Sequence, residues 1–165
     1  TVYRPEHWLL DGTGLGYGDL LGARDGVVGY ETVGCRLALD EYQLPVARPE
    51  PALPSETWPP DVEVVAYTPS SNLAMGEYPA SISALSDQGD LEYLAGRLFG
   101  RVDADSLARI RYGNAVVLTC RPFGPGGGGV VTVGSTDWVF GLADDPAVAR
   151  VTANALNWGL AGQPS

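Results

Sequence analysis

The sequence has no lysine, a single histidine and a single methionine, and its ten basic residues are all arginines. Twenty acidic residues oppose them, which gives a formal net charge of −10 at pH 7. Binding to nucleic acid requires clustered cations that contact phosphates, and these arginines are dispersed along the chain. The composition therefore predicts that nucleic acid is not a partner, and the scattered acids are typical of a solvated acidic surface.

Long apolar runs are also missing. None approaches the roughly 18 residues of a membrane-spanning helix, so we predict no membrane segment. The N-terminal stretch TVYRPEHW lacks the pattern of a secretory signal peptide, which favours a cytoplasmic location. Because it begins without Met, we expect the chain to be a piece of a longer polypeptide. Its 165 residues, 45% of them apolar, predict a single domain over 1–165 with a hydrophobic core.

Cysteine is scarce as well. Cys35 and Cys120 lie far apart, each within an apolar, strand-like run. Buried free thiols and a disulfide between the two both fit this pattern. A nucleophilic cysteine is the least expected alternative, because neither residue stands in the G-x-C-x-G setting of a nucleophile elbow.

Hydrophobic periodicity predicts short strands at 27–31, 35–39, 61–67, 115–121 and 130–133, and helices at 89–99 and 103–112. A C-terminal helix is predicted after the capping acids Asp144 and Asp145, with Pro146 in its first turn. Six prolines make residues 40–61 an expected surface loop. The short glycine-rich connection at 124–129 predicts an antiparallel hairpin. The predicted fold class is α/β, a layered sheet with partly antiparallel edge strands.

A small polar cluster, Gly134–Asp137, separates the last predicted strand from the C-terminal helix. Polar groups at this point of an α/β domain often line a site, so Ser135 and Asp137 are candidate catalytic residues. The alternative is ordinary turn and capping chemistry that satisfies free backbone amides. Trp138, next in sequence, is interpreted as a core anchor rather than a substrate platform.

Two further polar residues stand beside apolar ones. His7, the only histidine, precedes Trp8 and is either a packed or capping residue or a catalytic one. Glu31 lies in a predicted strand, where a carboxylate needs solvent, a partner or a metal. A solvated strand edge and a metal ligand are the two interpretations kept for Glu31.

Four segments, in this order, resemble the C-terminal region of the N,N-dimethylformamidase large-subunit family: HWLLDGTGLGYGD, GVVGYETVGC, PPDVEVVAYTPS and GGGGVVTVGSTDWVFGL. The family's typical ending is a glycine-rich turn, a strand, G-[ST]-x-x-W and a capped helix, which here is Gly134 to Trp138. That region is in turn similar to the last half of class I glutamine-amidotransferase-like domains. Their C-terminal His-x-Glu is not matched, because Ser135 and Asp137 stand in its place.

The resemblance implies a mononuclear iron amidohydrolase with tyrosine and carboxylate ligands. Such hard oxygen donors suit a ferric ion that polarises an amide carbonyl and activates water. By the resemblance Glu31 is the carboxylate ligand, and the tyrosines are expected upstream of these residues, with Tyr17, Tyr30 and Tyr67 as substitutes. An intact site then requires the rest of the parent chain or another subunit.

Two functions follow as hypotheses. In the first, the chain is the C-terminal part of an enzyme that hydrolyses a small amide, and it contributes His7, Ser135, Asp137 and Glu31 to a shared site. In the second, it is a non-catalytic structural or interaction module that keeps an amidotransferase-like scaffold without its chemistry. The missing nucleophile favours the second function for the isolated chain, and the resemblance favours the first for the parent.

Overall fold

The computed structural model describes residues 1–24, 26–28, 34–48, 62–77, 89–120 and 129–161. Helices and small antiparallel sheets are mixed in this part of the chain, which confirms the coarse α/β class. The strands are β1 (Arg36–Leu39), β2 (Pro45–Arg48), β3 (Val62–Ser71), β4 (Tyr112–Cys120) and β5 (Val130–Thr132). The α-helices are α1 (Asp90–Phe99), α2 (Ala104–Arg111), α3 (Gly141–Asp144) and α4 (Pro146–Ala161), and the 3-10 helices are η1 (Trp8–Leu10) and η2 (Thr136–Phe140).

The larger sheet has the order β3-β4-β5, and both of its strand pairs are antiparallel. The β4–β5 pair is the hairpin predicted from the glycine-rich connection, with Cys120 opposite Val130. The first residues of the chain extend this sheet beyond β3. Val2 forms an antiparallel bridge with Ala66, and the backbone of Tyr3 donates to the carbonyl of Val65 at 2.9 Å.

A bulge interrupts the pairing of β3 with β4. Val64 lies opposite Leu118 and Ala66 opposite Val117, so Val65 is the extra residue. A bulge of this kind lets two successive side chains point to the same side of a sheet, against the normal alternation. Val65 and Ala66 accordingly belong to the same core cluster, with exposed fractions of 0% and 3%.

The second sheet is the β1–β2 hairpin, and it corrects the prediction of a continuous proline-rich loop at 40–61. Residues 45–48 pair with β1, while 49–61 lie outside the described residues. Asp40 makes the turn, because its Oδ1 accepts the backbone N–H groups of Tyr42 and Leu44. Pro45 is tolerated because it is the first residue of an edge strand.

Cap residues set the helix boundaries close to those predicted. Asp103 caps α2 in a capping box with Ser106, whose backbone N–H and hydroxyl both take part. Gly100 ends α1 in the left-handed conformation, at φ 66°. Asp145 caps α4 through its Oδ1, which accepts from the N–H groups of Ala147 and Val148. These helices confirm the sequence predictions.

The prediction of a strand at 27–31 is not confirmed. Val27 and Val28 lie outside any strand, and residues 29–33 fall outside the described part. Val27 is instead buried in the core, only 2% exposed. Cys35 is a half-buried thiol, and the side chain of Cys120, its alternative disulfide partner, lies outside those that the structure describes.

One hydrophobic core joins the N-terminal segment, the larger sheet and α4. Its buried members are Val2, Leu9, Leu10, Val27, Val65, Ala66, Val117, Trp138, Val148 and Val151. Among the described residues, no helix combines the length and apolar content that crossing a bilayer requires.

Candidate functional site

Three of the predicted catalytic residues lie at the start of the two 3-10 helices. His7 is the N-cap of η1, and Ser135 is the N-cap of η2. Asp137 is in the first turn of η2. A cap residue keeps an extended backbone while its side chain accepts from an amide of the first turn, which fixes the orientation of that side chain.

Both ring nitrogens of His7 have partners. Nδ1 accepts the backbone N–H of Leu9 at 3.2 Å, and Nε2 lies 3.3 Å from Oε2 of Glu63 on β3. Because Nδ1 is an acceptor, the bonding assigns the proton of neutral His7 to Nε2, which donates to Glu63. The His7 side chain is buried, whereas that of Glu63 is 45% exposed.

Burial and the carboxylate act on His7 in opposite directions. Loss of solvation lowers the pKa of His7, and the attraction of Glu63 only partly offsets this. The neutral form is therefore favoured near pH 7. To act as a base toward a substrate, His7 would have to release either the Leu9 amide or Glu63. A catalytic role for His7 stays a prediction.

Ser135 performs the capping chemistry that was one of its two interpretations. Its Oγ accepts the backbone N–H of Asp137 at 3.2 Å, and Ser135 is 9% exposed. Gly134 before it turns the chain at φ 79°, a conformation that favours glycine. Ser135 and Asp137 are thus joined in one turn, with the Asp137 side chain only half-buried. Their catalytic roles stay predictions.

Helix α4 holds both 3-10 helices. Thr152 Oγ1 accepts the Nε1–H of Trp138 in η2 at 2.9 Å. Two positions later, Asn154 Nδ2 donates to the carbonyls of Leu9 and Asp11, at 3.0 and 2.8 Å. His7 and Ser135, the caps of η1 and η2, therefore lie in segments that are hydrogen-bonded to the same helix, α4. Trp138 is in the core cluster, as the core-anchor interpretation predicted.

Aromatic stacking strengthens the attachment of η1. The rings of Trp8 and Trp158 are stacked, with centroids 5.2 Å apart. On the other side, Gly129 approaches so closely that an added Cβ would lie 1.8 Å from Cη2 of Trp158. Only glycine leaves room for this ring, which is a packing reason for glycine before β5.

The described residues do not form an iron site by themselves. Glu31, the carboxylate that the resemblance implies, and Tyr30 lie outside them. Within the described ranges, no group of three or more His, Cys, Asp or Glu side chains is placed to hold a metal ion. We therefore derive no chemical step through iron.

The two other tyrosine substitutes, Tyr17 and Tyr67, both pack against Tyr3. The Tyr3 and Tyr67 rings are stacked at 4.9 Å with their hydroxyls 3.3 Å apart, and Tyr17 meets Tyr3 edge-on. The hydrogen bond with Tyr67 raises the pKa of Tyr3. This shift favours the neutral phenol of Tyr3.

Sequence reasoning missed the partners of these residues. Glu63 alternates with valines in a strand, which reads as a solvent-facing position, and nothing in the sequence links it to His7. Thr152 and Asn154 are polar residues on a mainly apolar helix. Polar residues that interrupt an apolar pattern indicate hydrogen bonds to other segments, so the sequence does carry a signal for these two. Glu63 gave no comparable signal, because alternation is the ordinary pattern of an edge strand.

Comparison with protein-family models, curated proteins and solved structures gives no significant match to this chain.

Proposed function

We propose that this chain is the C-terminal domain of an N,N-dimethylformamidase-like protein that hydrolyses a small amide. The observation that carries the proposal is the packing of the four segments that resemble this family. Each gives a residue to the same core: Leu9 from the first, Val27 from the second, Ala66 from the third and Trp138 from the fourth. Segments that resemble a family in the same order and also pack together support a shared fold. In this proposal that fold resembles the C-terminal part of an amidotransferase-like domain.

The same packing brings the predicted catalytic segments to one helix. Bonds from Thr152 and Asn154 fix the segments that begin with Ser135 and His7. In this proposal His7 and Asp137 transfer protons to and from the amide, and Ser135 caps the turn that carries Asp137. Glu31 supplies a carboxylate, and the remaining iron donors come from the rest of the parent chain or from another subunit.

A second candidate function rests on a different observation. Nδ1 of His7 and the hydroxyl of Ser135 make local hydrogen bonds that cap η1 and η2, and Nε2 of His7 contacts Glu63 of β3. Groups used in this way give a stable scaffold without any reaction. In this alternative the chain is a structural or interaction module.

Replacing Glu31 in the full-length parent protein distinguishes the two functions. If the first holds, the parent contains iron with a tyrosinate charge-transfer band, and Glu31→Ala abolishes both the band and the release of formate from a small formamide. The control is Glu6→Ala, which removes an exposed carboxylate and should leave both unchanged. A colourless, iron-free parent, or a Glu31→Ala protein with full activity, would exclude the first function and support the second.

A further inference from the structure

A cavity of about 320 Å³ lies between the larger sheet and the loop that includes Leu20 and Val28. This volume is at the lower end of the roughly 300–1,000 Å³ that is usual for small-molecule sites. The residues that enclose it come from the loop, from β3 and β4, and from the segment after β5. They include Leu20, Val28, Ala66, Val117, Val133 and Trp138.

The floor of the cavity is a row across three neighbouring chain segments of the sheet. Ala66 of β3 lies opposite Val117 of β4. In the β4–β5 pair Leu118 faces Thr132, so the same antiparallel register continues from Val117 to Val133. Paired residues of a sheet point to the same face. The floor is therefore apolar, and the strand pairing fixes its shape.

The walls are also fixed before any ligand arrives. Trp138 is 7% exposed, and its hydrogen bond to Thr152 holds the indole in one orientation. In the loop, the backbone N–H of Val27 donates to the carbonyl of Gly22 at 3.3 Å. Gly22 has φ 72°, and an added Cβ would lie 2.0 Å from Cγ2 of Val27. A pre-organised cavity loses little entropy when it is filled.

The lining selects against positive charge. None of the lining residues that the structure describes carries an acidic or basic side chain, but Thr1 is among them, and its terminal ammonium donates to the carbonyl of Tyr67 at 2.8 Å. The phenol of Tyr67 is already bonded to Tyr3, which leaves Thr1, the hydroxyl of Thr68 and the loop backbone as polar contacts. A cationic ligand would lose its hydration without gaining an ion pair, and this is strongly unfavourable.

We infer that this cavity is a binding site for a mainly apolar molecule without positive charge, about the size of two fused rings, with Trp138 as its aromatic wall. The volume is about twice the ~150 Å³ of an apolar protein cavity that takes benzene. The inference goes beyond amide hydrolysis, because it uses neither His7 nor Glu31 and holds for either candidate function.

Two matched probes test it: indole, which is neutral, and 3-(aminomethyl)indole, which has the same rings and a positive charge. In two-dimensional NMR spectra of the isotope-labelled chain, we expect indole to shift the resonances of Ala66, Val117, Val133 and the Trp138 indole N–H with one saturable dissociation constant. The cationic probe should bind at least tenfold more weakly. Equal binding of both probes, shifts spread over other surfaces, or no saturation would overturn the inference.

Two rim variants provide the second arm. Val28→Trp and Leu20→Trp add bulk at positions that are 39% and 64% exposed, where folding tolerates it. At least one of them should raise the dissociation constant of indole tenfold or more. The matched control is Val139→Trp, at a position 56% exposed and away from the lining, which should bind as the unmodified chain does. If both rim variants bind indole normally, the site is not this cavity.

Discussion

His7, which the sequence offers as a candidate catalytic residue, has a structural role in the fold. It accepts from the amide of Leu9 and faces the Glu63 carboxylate, and burial lowers its pKa. Arg4 opposes its protonation, whereas Asp11 and Glu63 favour it. Protonation would also remove the acceptor at Nδ1, so the N-cap of η1 is lost when His7 becomes charged.

This pKa shift predicts acid sensitivity. Above the ordinary histidine pKa of 6.5, His7 is neutral in both the folded and the unfolded chain. As the pH falls below that value, the unfolded chain binds a proton that the folded chain resists, so the free energy of unfolding decreases. The decrease stops once the pH passes the lower, folded-state pKa. Urea unfolding at pH 7.5 and pH 5.5 should show this loss.

His7→Asn is the matched variant, because its amide oxygen can still cap η1 but does not titrate. It should lose clearly less stability than the unmodified chain over the same two pH values. Glu63→Gln should lose more, since it removes the attraction that partly restores the pKa of His7. Identical pH dependence in all three proteins would show that His7 does not cause it.

Cys35 gives a second prediction at this scale. Burial raises the pKa of its thiol to about 11, and alkylating agents react with the thiolate. Compared with a cysteine at the ordinary pKa of 9.0, the thiolate fraction near neutral pH is lower by about 100-fold. In a Cys120→Ser variant, iodoacetamide should therefore label native Cys35 about 100-fold more slowly than the urea-unfolded chain. Comparable labelling rates would contradict the burial of this thiol.

At the scale of elements, the sequence was informative wherever one residue decides the conformation locally. Asp103 and Asp145 cap their helices because short acidic side chains accept from first-turn amides. Gly100 ends α1 because glycine readily takes the left-handed conformation. The β4–β5 hairpin followed from the short connection between two apolar runs.

Elements that depend on distant partners were not predicted. Strand β2 exists because Arg36–Leu39 provides a ladder for Pro45–Arg48, whereas proline content alone indicated a loop. The pairing of Val2 with Ala66 and the contact of His7 with Glu63 join residues far apart in the chain. Local propensity holds no information on such pairings. Among the candidate site features, the capping roles of Ser135 and His7 were open to prediction from neighbouring residues.

The attachment of η2 to α4 predicts the effect of Thr152→Val. Valine has nearly the same shape but cannot accept from Nε1 of buried Trp138, and an unsatisfied buried donor costs about 1–3 kcal/mol. The loss should appear as a lower midpoint of urea unfolding. In a Trp138→Phe background, which lacks this N–H, the same substitution should cost much less. Equal costs in the two backgrounds would mean that the Trp138–Thr152 bond does not stabilise the fold.

At the scale of the whole molecule, the core is assembled from both ends of the described chain. Val2, Leu9 and Val27, which precede the larger sheet in the chain, pack in one core with Val148 and Val151, which follow it. The α1–α2 pair is joined to this unit by Asn72, which bonds the carbonyl groups of Ile110 and Arg111. Since these contacts are long-range, we expect the parts to unfold together.

Unfolding in urea should therefore be a single transition. Tryptophan fluorescence reports the core, because Trp138 belongs to it, Trp8 packs against it and Trp158 stacks on Trp8. Far-ultraviolet circular dichroism reports the helices. The two curves should coincide within error, as two-state unfolding requires. A circular dichroism transition at lower urea than the fluorescence change would show that α1 and α2 form a separate, less stable unit.

The bulge at Val65 has a consequence for how the length of this strand can vary in evolution. Removing that one residue would leave a regular ladder, because Val64 and Ala66 would then face consecutive partners on β4. The side chains on both sides of the deletion would keep their directions, because each already faces the same way as its partner on β4. Glu63 would stay beside the imidazole and Ala66 in the apolar interior, and the core would lose only the fully buried side chain of Val65. A deletion at this position should thus be tolerated about as well as a substitution that truncates Val65.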